Sequence, residues 1–291
     1  MKKEYVQRKI RQYKFRKQIV VNSSQSLKGL RLHRNIHPLL RWLLKVKSKV
    51  CGLTYEIIDN KFSGYSNETV VYAVTHIGKY DFEMIMEALP IVAYPFAGDW
   101  ELQYGEVDDY FLRANGVIYV DTEDKEDRIN SAKLMVKTLK EGMSVMIFPE
   151  GIWNLSESLP MQKIYGGAIQ TAQEAEVSIV PIAIEQRGKH FYINVGEKMD
   201  ATKLDKEVGV QKLRDTLATL KWELWEQLSM ERRIDVPENW YEEFVAERLA
   251  ECPYITREVV EGRVYRDKVD RELASIRIDI EQLKGRYYDI C

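Results

Sequence analysis

His76 and Asp81 stand at the two ends of the run His76-Ile77-Gly78-Lys79-Tyr80-Asp81. An imidazole can take a proton from a hydroxyl. A carboxylate on its other ring nitrogen fixes the tautomer and stabilises the imidazolium that forms. The pair is equipped for general-base chemistry without a serine or cysteine nucleophile. The residues before it, Thr69 to Thr75, are β-branched and aromatic and predict a buried strand. Asp81 opens an apolar helical run through Met84, Ile85 and Leu89 that Pro90 ends. Such strand-to-helix junctions gather at one sheet edge, and Gly78 is expected to turn the loop so that both side chains face one cleft. The chain holds four histidines, so the spacing alone is a weak signal. A structural histidine bonded to a helix-capping aspartate would look the same.

A second feature adds weight. Phe148-Pro149-Glu150-Gly151 leaves an apolar strand 74 residues downstream, measured from His76 to Glu150. Proline ends a ladder, glycine permits an unusual turn, and the glutamate is then held at the sheet edge. Trp153 follows closely and could line a pocket or simply pack.

These residues need a scaffold, and the chain supplies an alternating one. Strands are predicted at 69–75, 117–120, 144–148 and 178–184, with helices from 81, at 127–140 and at 166–175. This pattern predicts an α/β fold with a mixed, largely parallel sheet flanked by helices. Leu213, Leu217, Leu220, Leu224 and Leu228 repeat at helical spacing and predict a core-facing stripe. The expected organisation is a basic arm over 1–52, an α/β domain over 53–230 and a helical appendage over 231–291. Pro237 and Pro253 break the appendage, which shows no catalytic constellation.

The net charge of −2 conceals a strong asymmetry. Residues 1–50 carry 15 lysines and arginines against Glu4 alone, a net of +14, and the remainder carries −16. A basic arm of this kind implies an anionic partner, either nucleic acid or a membrane surface. Within it, 34–50 predicts an amphipathic helix. Ile36, Leu39, Leu40, Leu43 and Val50 form one side, Arg41, Lys45 and Lys49 another, and Trp42 could sit at an interface. The alternative is a helix packed on the domain with a solvated basic face. No apolar run approaches the ~20 residues that cross a bilayer. The acidic remainder, without aromatic-plus-basic clustering, argues against nucleic acid.

Three cysteines in no paired spacing suggest neither a disulfide framework nor a zinc site, so a reducing compartment is expected. The acidic segment 121–128 does not match a calcium loop and reads as a turn before a helix. His33 and His37, at i and i+4, lack further ligands nearby. No metal is expected.

In order and spacing, the chain from about 70 to 196 resembles the glycerolipid acyltransferase family, whose prototype is 1-acylglycerol-3-phosphate acyltransferase. The family's His-Asp motif is matched by His76 and Asp81, and its Phe-Pro-Glu-Gly turn by Phe148, Pro149, Glu150 and Gly151. Its middle strand is matched by Gly116, Ile118 and Asp121, its Gly-Ala helix by Gly167 and Ala168, and its Val-Pro strand by Val180 and Pro181. The resemblance implies transfer of a fatty-acyl group from acyl-CoA or acyl-carrier protein to a hydroxyl of a lysophospholipid or related membrane lipid. His76 would be the base, Asp81 its orienting group, and the turn from Phe148 to Gly151 the acceptor contact. It implies no bound cofactor, a place in phospholipid biosynthesis, and a peripheral position on the cytoplasmic face of a membrane. A non-catalytic lipid-binding protein of the same fold is the alternative.

Three departures bear on the acceptor. Ile152 and Trp153 replace the Thr-Arg that usually follows the turn, Thr122 replaces an arginine after Asp121, and Gly166 stands where a basic residue precedes the Gly-Ala helix. Those cations would neutralise a phosphate through charge-assisted bonds. Lys79, Lys125, Arg128 and Lys163 are the basic residues that could stand in.

Overall fold

A computed structural model describes residues 27–65, 67–98, 112, 114–122, 124–156, 159–228, 238–252 and 255–263. Residues 1–26 of the basic arm, Pro237, Pro253 and residues 264–291 of the appendage lie outside the described residues. In chain order the elements are α1 (Leu27–Cys51), β1 (Thr54–Asn60), β2 (Val70–Val74), α2 (Asp81–Ala88), β3 (Ala93–Ala97), β4 (Ile118–Tyr119) and α3 (Lys125–Lys140). They continue with β5 (Ser144–Ile147), α4 (Gly167–Ala175), β6 (Ser178–Arg187), β7 (His190–Val195), α5 (Lys206–Gln227), α6 (Trp240–Ala250) and α7 (Arg257–Arg263).

The seven strands form one sheet in the order β1-β7-β6-β2-β5-β3-β4. Every neighbouring pair is parallel except the β6–β7 hairpin. The sheet is thus mixed and largely parallel, with helices on both faces. Strand β2 shows why. It is buried throughout, and its alternate residues serve opposite faces. Val71 and Ala73 join Val145, Ile147 and Ile179 beneath α3, α4 and α5, through Met135, Leu139, Ala168, Ala172, Leu213 and Leu217. Val70, Tyr72 and Val74 join Met146, Val180 and Ile182 beneath α1 and α2, through Leu44, Met84, Ile85 and Met86.

The predicted strands and helices appear with bounds shifted by a few residues, and β6 runs on to Arg187. Strands β1, β3 and β7 were not legible. Tyr55-Glu56-Ile57-Ile58-Asp59 is mostly exposed and polar, Pro95 interrupts β3, and β7 follows β6 across a short turn. The leucine stripe behaves as expected up to Leu224, since Leu213, Leu217, Leu220 and Leu224 are buried while Leu228 lies past the helix end.

Helix α1 corrects the expected division of faces. His37, Leu40, Leu44 and Ser48 make the buried stripe, so Leu40 belongs to the core and not to the outer apolar face. Arg41 donates to the Glu87 carbonyl, and Lys47 pairs with Glu83 at 2.6 Å, tying α1 to α2. Leu39, Trp42, Leu43, Val46 and Val50 form a separate exposed stripe, with Trp42 58% and Val50 81% exposed. Burial, with Arg41 nearby, lowers the His37 imidazole to about 4, so it sits neutral in this contact. Among the described residues no helix is long and apolar enough to cross a membrane.

Gly116, at the entry to β4, has φ +76°, and a Cβ there would stand 2.1 Å from a Tyr94 ring carbon. Left-handed backbone and a fully occupied neighbour both exclude a side chain. Gly116→Ala is expected to destabilise the fold by about 3 kcal/mol. A lowered denaturation midpoint with an unchanged slope is the measurement that checks it.

Candidate active site

The C-terminal ends of β2 and β5 lie side by side because those strands pair in parallel, Val71 with Val145 and Ala73 with Ile147. The offset is 74 residues at each pair, the same as the separation of His76 from Glu150. The ladder itself ends at Ile147, but the register continues through a side chain. The His76 N–H donates to Glu150 Oε1 at 3.2 Å, and the Gln162 N–H donates to Glu150 Oε2 at 2.9 Å. The His76 carbonyl accepts from the Asn154 N–H at 2.6 Å. His76 is held at both backbone atoms by the segment that follows β5.

Its side chain is held from the other direction. Asp81, fully buried at the start of α2, places Oδ2 2.8 Å from His76 Nδ1. The same oxygen accepts the Ile77 N–H at 2.6 Å and the Gly78 N–H at 3.0 Å. A carboxylate offers only acceptors, so the proton between it and the ring belongs to Nδ1, and Nε2 is left as the base. The His76 side chain is 22% exposed, so the ring remains reachable. Phe148 stacks on it at 4.3 Å and Trp153 meets it edge-on at 6.2 Å. Gly78 is not in the left-handed region. The tight turn is made by the two N–H bonds to Asp81, and the missing side chain matters for packing, as described below.

Glu150 has no solvent exposure, and each of its oxygens takes a backbone N–H. Burial outweighs those two bonds and the attraction of Lys221, and raises its carboxyl to about 7. This geometry makes Glu150 a brace between the His76 loop and the 148–162 segment. Gly151 completes the turn with φ +73° against the Tyr165 ring.

Ile152 and Trp153 are buried, and with Leu155 they pack against Val245, Cys252 and Val260, with Tyr241, Phe244 and Leu249 around them. The Tyr241 hydroxyl donates to the Leu155 carbonyl. Helices α6 and α7 thus cover the positions where related motifs carry Thr-Arg.

The basic residues are spread unevenly. Lys79 lies in the loop between His76 and Asp81, its ammonium 5.6 Å from the Tyr80 ring centre. Lys163 sits between Gln162, which bonds Glu150, and Tyr165, whose N–H donates to the Pro149 carbonyl. Lys125 and Arg128 belong to α3 after β4, three strands away from β2. Arg128 donates to the Thr122 carbonyl. At the helix where Gly166 replaces a basic residue, Lys206 occupies the space. A Cβ on Gly166 would meet its Cε at 2.9 Å.

The acidic segment has a structural use. Asp124 caps α3 by accepting the Asp127 N–H, and Asp127 accepts the Asp121 N–H at 2.6 Å. Among the described residues no three histidine, cysteine, aspartate or glutamate side chains cluster as metal ligands would.

Two buried ionic groups were missed in the sequence. Lys221 pairs with Glu185 at 3.0 Å and also donates to the Ile184 carbonyl, beside Thr75. Burial raises the Glu185 carboxyl, but Lys221 and the Trp225 indole N–H outweigh it and hold the group below the usual carboxylate value. The second is Arg248 on α6, 1% exposed. Both cations interrupt apolar helical stripes, which was the available signal.

Comparison with known proteins agrees with this architecture. The family described as Acyltransferase matches residues 55–185. An uncharacterised acyltransferase of Schizosaccharomyces pombe is 28% identical over 166 residues, covering 54% of this chain and 58% of that protein. The chain therefore matches a little over half the length of that curated relative. The crystal structure of the 1-acyl-sn-glycerophosphate (LPA) acyltransferase PlsC from Thermotoga maritima superposes with a TM-score of 0.54 at 13% identity. The superposition covers 68% of this chain and 83% of that one. At that identity the likeness is one of fold.

Glu150 yields a pH-dependent prediction. A carboxyl raised from 4.5 to about 7 on folding is protonated in the native state and ionised in the unfolded state between those values. Its contribution to stability is complete below pH 4.5 and is lost as pH rises through 7, by about 3 kcal/mol in all. Glu150→Gln cannot titrate. The stability advantage of the wild type over this variant, from denaturant unfolding at pH 5 and pH 8, is expected to shrink by about that amount.

Proposed function

We propose, from the match of residues 55–185 to the acyltransferase family, that this chain moves a fatty-acyl group from a thioester to a lipid hydroxyl. The donor is acyl-CoA or acyl-carrier protein, and the acceptor is a lysophospholipid or related membrane lipid. The observation that carries the reading is the Asp81 carboxylate, which accepts from the His76 ring and from two backbone N–H groups at once. His76 Nε2 takes the proton of the acceptor hydroxyl as its oxygen attacks the thioester carbonyl. The tetrahedral adduct collapses, the C–S bond breaks, and the imidazolium returns its proton to the departing thiolate. Asp81 orients the ring and stabilises its charged form. No residue of the enzyme is acylated, and the route uses no bound cofactor.

Glu150 acts here as a brace for the His76 backbone, and Phe148 and Trp153 flank the ring as apolar walls. With Ile152 and Trp153 packed under α6, the segment after the turn has no cation with which to hold a phosphate. The proposed acceptor therefore lacks a phosphomonoester beside the reacting hydroxyl, and Lys79 and Lys163 are the cations nearest in the chain to the bonded segments.

The acceptor is collected from a membrane. The exposed stripe Leu39, Trp42, Leu43, Val46 and Val50 follows helical spacing, with Lys45 and Lys49 beside it. An apolar face bordered by lysines suits insertion among anionic headgroups.

His76→Ala is expected to abolish acyl transfer to a panel of lysolipids from labelled acyl-CoA or acyl-carrier protein, with the thermal midpoint little changed. Full turnover in that variant would refute the base, and a wild type inert on every pair would favour the non-catalytic lipid-binding reading. Asp81→Asn is expected to lower kcat by about 10²–10⁴ with little change in KM. The double change Trp42→Asp and Val46→Asp, on exposed positions, is expected to weaken binding to phosphatidylserine-containing vesicles at least about tenfold. Unaltered sedimentation with the vesicles would remove α1 as the contact.

A further inference from the structure

Helix α6 brings an arginine to the back of the His76–Asp81 loop. Arg248 is 1% exposed, with Nη2 2.9 Å from Glu247 Oε1 and Nη1 3.2 Å from Glu251 Oε1. The Phe244 ring lies 5.9 Å from its guanidinium. Glu251 Oε1 also accepts from Gln186 Nε2 at 2.9 Å, and Gln186 stands near the end of β6, the strand beside β2. The second face of this cluster is the loop itself. A Cβ on Gly78 would lie 3.3 Å from Gln186 Oε1, 3.6 Å from Glu251 Oε2 and 3.9 Å from Arg248 Cδ. The loop backbone thus stands about one methyl group away from the cluster, and a larger side chain at this position would push the two apart.

The charges make that contact consequential. Burial raises the Glu251 carboxyl, Arg248 and the Gln186 hydrogen bond lower it, and the charges of Glu247 and, to a smaller extent, Asp81 raise it further, so Asp81 and Glu251 repel. Arg248 is the cation that offsets this negative charge within the cluster. Without it, the buried Asp81 and the partly buried Glu251 would face one another across Gly78, and separating them by opening the loop would relieve the repulsion. An accessible anion-binding role does not suit a guanidinium with 1% exposure.

We infer that Arg248 is a positioning residue, which pins the loop carrying His76 and Asp81 through Glu251, Gln186 and the bare Gly78 backbone. The appendage would then be part of the active site. Its docking surface is Ile152, Trp153 and Leu155, and this accounts for the exchange of Thr-Arg for apolar residues. The consequence for turnover rests on the acyl-transfer reading, whereas the pinning of the loop does not.

The test uses the full chain, with Arg248→Met and Arg248→Lys. Amide exchange of residues 76–81 is followed against 144–147 as the internal measure of global folding. In Arg248→Met the loop is expected to exchange about tenfold faster with 144–147 unchanged, and in Arg248→Lys by a smaller factor. A loop as protected as the wild type overturns the proposal. Should 144–147 also lose protection in Arg248→Met, Arg248→Lys decides by the same comparison. In acyl transfer with the best donor and acceptor of the panel, kcat is expected to fall about tenfold at unchanged KM, with partial recovery in Arg248→Lys. A raised KM at unchanged kcat contradicts positioning. A wild type without acyl transfer removes the functional reading but leaves the exchange result to decide the role of Arg248.

Discussion

The parallel pairing of β2 with β5 determines where everything else in the site must lie. Its register brings position n of one strand beside position n + 74 of the other, and that relation survives past the last ladder bond because Glu150 continues it with a carboxylate. A loop leaving a strand is normally free to wander. Here the loop after β2 is tied at the His76 N–H, at the His76 carbonyl and at three donors to one Asp81 oxygen. The freedom left is at the exposed edge of the imidazole.

Holding a loop this way requires burying charge. Glu150, the Lys221–Glu185 pair and Arg248 with Glu251 all lie at or behind the ends of β2, β5 and β6. Each would be destabilising by itself, since a charge removed from water must recover its hydration from partners. The partners of Glu150 are backbone groups of the loops it holds, those of Lys221 lie on β6, and those of Arg248 lie at the end of α6, which β6 meets through Gln186. The desolvation cost is thus offset only when these elements are correctly placed, which couples order at the strand ends to the packing of α5 and α6.

The geometry of the His76–Asp81 pair depends on β2, α2 and the Glu150 brace. The positions that follow the brace form a dry interface, since Ile152 and Trp153 support α6 and α7. On the opposite side, α1 divides its apolar residues between a core stripe at His37, Leu40, Leu44 and Ser48 and an outer stripe from Leu39 to Val50. One helix thereby serves both the domain and an outer surface.

Much of this was written in local sequence. Alternation of β-branched strands with periodic helices suffices for a layered α/β fold, because burial on both faces leaves its mark on composition along most of β2, β5 and β6. Order and spacing of His76, Asp81 and Phe148 to Gly151 were enough to expect these residues at one place, since strand-end motifs in a parallel sheet share one edge. Other features were not legible. Strands β1, β3 and β7 depend on pairing partners and carry no clean period of their own. Leu40 and Leu43 are equally apolar, and only contact with α2 separates the buried one from the exposed one. Glu150 reads as a turn residue until the register with β2 gives one oxygen the His76 N–H and the segment after the turn gives the other the Gln162 N–H. Arg248 lies 172 residues from His76, and no local rule connects them. Residue types and spacing determined which chemistry was available. The tertiary structure decided which groups brace it, because long-range pairing alone chooses which buried charges meet.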